Sequence, residues 1–117
     1  MKESVIENKS KDFAIRIIRL YQYLTKEQSE YVLSKQILRS GTSIGANVKE
    51  ALRGQSRSDF RAKMNISLKE ACETEYWLEL LNETGYISEN SFQSIYKDCK
   101  EIIKILTMIV KNTETNH

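Results

Sequence analysis

The sequence predicts an all-α protein, an antiparallel up-and-down four-helix bundle, and three observations carry that expectation. The 117 residues contain no proline and only four glycines, so nothing locks φ or removes an amide donor inside a long helix. Apolar residues recur at steps of three and four in four separate stretches, the period of one helical face, and no stretch alternates as a half-buried strand would. The segments between them are short and carry serine or glycine, residues that start and stop helices. Short connections place successive helices side by side and antiparallel.

The first helix is expected over residues 10–26, where Phe13, Ile17, Leu20 and Leu24 form one stripe widened by Ala14, Ile18 and Tyr21. Ser10 is the candidate N-cap. The second, over 30–53, carries Leu33, Ile37, Ile44, Val48 and Ala51, with Ser40 or Gly41 at the intermediate step and Gly54 as its stop. The third, over 58–84, opens on Ser58 and runs a heptad-like seam of Phe60, Met64, Ser67, Ala71, Thr74, Leu78 and Leu81. Ile66 and Trp77 lie beside that seam, and Gly85 ends the helix. The fourth, over 88–111, is capped by Ser88 and carries Phe92, Ile95, Cys99, Ile102, Leu106 and Ile109, broadened by Tyr96, Ile103 and Val110. The tail NTETNH is expected to fray, and residues 1–117 read as one domain.

A chain of 117 residues with 40% apolar content can bury a modest core, and 29% charged residues give it a wet surface. No apolar run approaches the roughly 20 residues that span a bilayer. The opening MKESVIENKSKD lacks the apolar stretch of a signal peptide. A cytoplasmic protein is expected. Cys72, Cys99 and His117 are the only cysteines and histidine, too few for a structural zinc site. No cofactor is expected, and both cysteines are expected to be buried, reduced thiols.

Residues 41–45, GTSIG, spell a G-x-S-x-G, the pattern that presents a nucleophilic serine on a strand–turn–helix elbow. Here the stripe before Ser43 continues through Ile44 and Val48 after it, so the segment is one helix. The sole histidine is the last residue, and no Ser–His pair can be proposed. No lysine is singled out as an alternative base. A di-metal bundle site fares no better. Glu70 and Glu73 have the i, i+3 spacing, yet no histidine accompanies them and the first helix offers no interior glutamate. No catalytic residue is assigned, and the chain is expected not to be an enzyme.

The same stretch reads instead as a stripe of small residues, Gly41, Gly45 and Ala46 flanked by Ser40 and Ser43, suited to a close helix–helix approach. Ser43, Asn47 and Glu50 form a polar row on that helix. Lys69, Glu70 and Glu73 of the third helix are its expected partners in a structural polar layer.

Charge is unevenly divided. Residues 1–69 carry 14 Lys/Arg against 7 Asp/Glu, whereas residues 70–117 carry 4 against 9, for a net charge of only +2. Lys49, Arg53, Arg57, Arg61 and Lys63 crowd the corner between the second and third helices, opposed only by Glu50 and Asp59.

The run LSKQILRSGTSIGANVKEA with QSRSDFRAKMNISLKEACETEYWLELL resembles the four-helix-bundle family of ribosomal-RNA intervening-sequence proteins. The resemblance covers about residues 10–110 and is strongest at Ser40–Ala51, at Ser67–Ala71 and at Glu73, Thr74, Trp77 and Leu78. It implies a small bacterial bundle that assembles into a ring, commonly a homopentamer. The chain is also similar to the accessory variability determinant protein of diversity-generating retroelements, a pentameric bundle that binds nucleic acid and a reverse transcriptase.

Two functions are therefore expected in competition. In the first, a homo-oligomer binds RNA or DNA phosphates through Lys49, Arg53, Arg57, Arg61 and Lys63, with avidity multiplying a weak single-subunit contact. No recognition-helix or RNP signature is present, so such binding would follow shape and charge. In the second, an oligomeric scaffold binds a protein partner without nucleic-acid activity. Its surface would draw on Tyr21, Tyr23, Tyr76, Trp77 and the two apolar faces of helix four, and its arginines would pair with acidic residues 70–89 of a neighbouring subunit. Neither reading involves a membrane.

Overall fold

Uninterrupted period-3.6 stripes fold as long helices, and the computed structural model, which describes residues 2–114, contains four. They are α1 (Lys2–Lys26), α2 (Leu33–Leu52), α3 (Arg57–Glu83) and α4 (Glu89–Glu114). Each packs on the helix before and after it in the chain, and α4 closes the circuit on α1. The result is a four-helix bundle of 48 × 20 × 20 Å. No strand occurs among the described residues. None of these helices is long and apolar enough to cross a membrane.

The expected seams form the core. Phe13, Ile17 and Leu24 of α1, Ile37, Ile44, Val48 and Ala51 of α2, and the α3 series Met64, Ser67, Ala71, Thr74, Leu78 and Leu81 are buried. So are Phe92, Ile95, Cys99, Ile102, Leu106, Ile109 and Val110 of α4. Leu20, Leu33, Phe60, Trp77 and Ile103 pack against them from the rim.

Several ends differ from expectation. α1 begins eight residues before Ser10, because Ile6 extends the apolar stripe one further step into the core. Ser10 is thus no cap: it is buried inside the helix, its Oγ donating to the Glu7 carbonyl at 3.1 Å. α2 starts at Leu33, not at residue 30. Glu30 is instead folded back as the cap, its carboxylate accepting from the amides of Val32 (3.2 Å), Leu33 (3.0 Å) and Ser34 (2.7 Å). That reversal needs a left-handed residue, supplied by Ser29 at φ 52°.

The N-cap of α3 is Ser56, whose Oγ accepts from the Asp59 amide at 3.0 Å, and not Ser58, which lies inside the first turn. Ser88 caps α4 as expected, accepting from the Ser91 amide. Gly85, at φ +82°, ends α3 with the Tyr86 amide bonded to the Leu81 carbonyl and the Gly85 amide to that of Asn82. Only glycine adopts that conformation without cost. Asn112–Glu114, the first half of the tail expected to fray, continue α4. His117 and the rest of that tail lie outside the described residues.

The small-residue stripe of α2 separates into unlike positions. A Cβ on Gly41 would stand 2.7 Å and 2.8 Å from the two γ-carbons of Ile17 and 3.1 Å from its Cβ. A Cβ on Gly45 would meet only the Ser10 backbone oxygen and Oγ, each at 3.4 Å. Ala46 faces solvent. Among the cysteines, Cys99 is buried on α4 and points at the Ala71 carbonyl, 3.5 Å away, whereas Cys72 is exposed, contrary to expectation, because its position lies off the α3 seam. Burial, with Glu75 nearby, pushes the Cys99 thiol up to about 12 and the Cys72 thiol up by less.

Gly41→Ala is expected to destabilise the bundle by about 1–3 kcal/mol, because the new methyl overpacks against Ile17. Gly45→Ala should be neutral or stabilising by up to about 1 kcal/mol, the helix-propensity gain of alanine. Urea titrations of the two variants check the contrast. Glu30→Ala should cost about 1–2 kcal/mol by uncapping α2, measured in the same way. In alkylation followed by mass spectrometry at neutral pH, Cys72 should label slowly and Cys99 only after unfolding.

Candidate nucleic-acid interface

The α2–α3 corner is built by a tight reversal. The amides of Arg53 and Gly54 bond to the Glu50 and Ala51 carbonyls, and the Phe60 amide bonds to Ser56. Asp59 ties the turn down by accepting from the Gln55 amide at 3.4 Å. Gly54 is needed for room. A Cβ there would sit 3.1 Å from both the Ala51 carbonyl oxygen and the Asp59 carboxylate. The corner encloses an open concavity of about 870 Å³ whose lining includes Arg53, Gly54, Ser56 and Lys63 and the carboxylates of Glu50 and Asp59. The first turn of α3 opens onto it, and helix N-termini attract anions through unsatisfied amides and the positive end of the dipole.

The structure divides the five basic candidates. Lys49 pairs with Glu7 of α1 at 3.6 Å, and Lys63 with Glu50 of α2 at 2.9 Å. The hydrogen bond from Glu50, then its charge, raises the Lys63 pKa. Arg61 is half-buried. Arg53 and Arg57 are exposed, and among the described residues neither is held by an ion pair. Both project from the turn itself, on either side of Gly54.

The polar layer is arranged differently from expectation. Ser43 Oγ donates to the Arg39 carbonyl at 2.7 Å, and Asn47 donates to the Ser43 carbonyl at 2.8 Å, so this row bonds its own helix. Glu50 reaches Lys63, and Lys69 is exposed to solvent. Glu70 and Glu73 take a different partner, Arg39. Side chains at Ser43 and Asn47 are short enough for their own backbone to capture them first. Besides these ion pairs, buried polar contacts that cross from α2 to α3 come from residues of the seam itself. Ser67 Oγ donates to the Ile44 carbonyl and Thr74 Oγ1 to Ser40 Oγ, each at 2.8 Å. Ser43 thus lies mid-helix, with none of the geometry of a nucleophile elbow.

Four acidic residues of α3 have partners within the chain. Glu73, besides Arg39, accepts from the Trp77 indole at 3.0 Å. Burial works to raise its pKa, but these two donors hold it below the ordinary carboxylate range. Glu75 pairs with Lys100 at 3.1 Å, and Glu79 accepts from the Tyr96 hydroxyl at 2.7 Å, which pushes the tyrosine pKa up. Sequence spacing gave no sign of these interhelix partners, because Arg39, Tyr96 and Lys100 meet α3 only across the bundle. No group of three or more metal-ligating side chains occurs among the described residues.

The aromatic and apolar candidates for a contact surface divide as well. Ile102, Leu106, Ile109 and Val110 fill the bundle's own core, while Tyr23 and Tyr76 are exposed.

Known proteins agree with this architecture. A solved structure from Bacteroides thetaiotaomicron, a protein of unknown function from the S23 ribosomal protein family, is 58% identical to this chain. It superposes with a TM-score of 0.93, the match covering 95% of this chain and 99% of that one. No curated protein matches significantly. The family model for the 23S rRNA-intervening sequence protein matches residues 2–108. With nearly its whole length matched, this chain belongs to the 23S rRNA-intervening sequence protein family.

Proposed function

We propose that this protein is a non-enzymatic, homo-oligomeric accessory protein, pentameric by family resemblance, that grips nucleic-acid phosphates with its α2–α3 corners. One observation carries the reading: Arg53 and Arg57 stand exposed at the corner, and among the described residues neither is held by an ion pair. Three of the acids a neighbouring subunit could offer, Glu70, Glu73 and Glu75, already pair with cations of their own chain, which favours phosphate as the partner of these arginines. Arginine meets phosphate bidentately, and each neutralised phosphate releases counterions.

The corner also favours a backbone over bases. Its one aromatic, Phe60, is packed against the core, and the exposed aromatics Tyr23, Tyr31 and Tyr76 all lie toward the other end of the bundle. Single-strand binders need exposed rings on which bases stack. A paired stem, whose phosphates are regularly spaced, is the target we assign to the ring of corners.

The competing scaffold reading is favoured by the exposed Tyr31 and Val32 at the α1–α2 connection, which offer an apolar contact point at the opposite end. Fluorescence anisotropy across a salt series separates the two. Labelled RNA and DNA hairpins should bind more tightly than unpaired strands of equal length, with affinity falling steeply as salt rises. Arg53→Ala/Arg57→Ala should reduce the salt slope by about 0.9 per lost phosphate contact. Lys35→Ala, at the far end, should leave it unchanged. Absence of binding at low salt would overturn the nucleic-acid reading and leave the scaffold.

A further inference from the structure

A second site lies away from the corner, between the C-terminal half of α1 and the start of α4. We infer that this groove binds small amphiphilic anions, an aromatic or short acyl body carrying one carboxylate, independently of any nucleic acid. Contact between α1 and α4 is the thinnest of the four helix pairings. It leaves a half-open groove of about 400 Å³, within the range of small-molecule sites. Leu20, Ile87 and Ile95 line it with apolar surface, and Arg19, Ser88 and Ser91 are polar members of its wall.

Electrostatics select the sign of the ligand. Arg19 is exposed and makes no ion pair among the described residues. Arg16, also in the wall, is held in place by Asp98 at 2.7 Å and by Ser94 Oγ at 3.0 Å, so it adds donors whose charge is already balanced. The first turn of α4, capped by Ser88, borders the groove, and Glu89 in that turn offsets part of the positive end of the helix. Two carboxylates lie near. Neither is part of its wall: Asp98 is matched by Arg16, whereas Glu89 keeps its charge and accepts from the neutral Gln93 Nε2 at 2.7 Å, along its own helix. Within the wall itself, and among the described residues, the one unpaired charge is the Arg19 guanidinium, above an apolar floor. That combination suits an anionic head joined to a hydrocarbon body, and suits neither a cation nor a fully polar anion.

The test compares 4-phenylbutyrate with its neutral counterpart 4-phenylbutan-1-ol, each titrated into the isotope-labelled protein and followed by amide chemical shifts. The acid should produce saturable shifts confined to Arg19, Ser88, Ser91 and Ile95 and their neighbours. It should bind roughly three- to tenfold more tightly than the alcohol, the effect of one exposed charge contact with a helix terminus. Arg19→Ala should erase that difference, and Ser91→Phe, which fills the groove, should abolish both. Circular dichroism shows whether each variant keeps its helices, and the acid–alcohol comparison on the unaltered protein stands without them. Equal binding of the two probes, shifts centred on the Arg53–Lys63 corner, or no saturable shift would overturn the proposal. So would sedimentation showing that self-association removes the groove from solvent.

Discussion

The close approach of α2 and α3 is the constraint on which the rest of the bundle depends. Their contact is the most extensive in the molecule, and it is made by small side chains. Ser67 and Thr74 reach across to the Ile44 carbonyl and to Ser40, while Ala71 lies between them on the same seam. A hydroxyl buried without a partner is costly, so these two bonds hold only in one helix register. A slip of one turn would break both and misplace Met64 and Leu78, and Thr74 would be left with its 2.8 Å bond to the Glu70 carbonyl of its own helix. On its other side α2 meets α1 at Gly41, where Ile17 occupies the space a side chain would need. α2 is thereby wedged between two neighbours at nearly the same height.

That register sets the charge pattern. With α2 and α3 fixed, Arg39 falls beside Glu70 and Glu73, and the short reversal at Gly54 brings Arg53 and Arg57 to the end of the molecule. The antiparallel return of α4 then sets Lys100 and Tyr96 against Glu75 and Glu79. The acids on the middle of α3 are engaged laterally, by Arg39, Lys100 and the Tyr96 hydroxyl, while Arg53 and Arg57 of the basic turn carry no ion pair among the described residues. The charge asymmetry of the sequence becomes an asymmetry of ends. Exposed surface pairs of this kind contribute little to stability, so their main consequence is which charges remain available to a partner.

α1 and α4 meet last and least. They are the first and last elements of the chain, joined by no loop, and their contact relies on side chains such as Lys9 with Glu101 and Arg16 with Asp98. The groove lined by Arg16, Arg19, Leu20 and Ile95 lies along this seam.

Sequence alone determined the helices, their stripes and most of the core, because the 3.6-residue period and the lack of proline act locally. Every apolar residue of the α3 seam beyond Phe60 is buried where the spacing placed it. It also located the basic corner, since five cations within fifteen positions need no folding to be noticed. Helix ends were less legible. Ser10 and Ser58 carry the chemistry of caps, yet Ile6 drew α1 past the first and Ser56 stands two residues ahead of the second. Glu30 acts as a cap only because a left-handed Ser29 turns the chain back. Tertiary structure alone decided which polar groups pair. Ser43 and Asn47 turn to their own backbone, Arg39 takes Glu70 and Glu73, and Arg53 and Arg57 are left to face solvent. Those outcomes depend on distances between helices, which no spacing along one chain encodes.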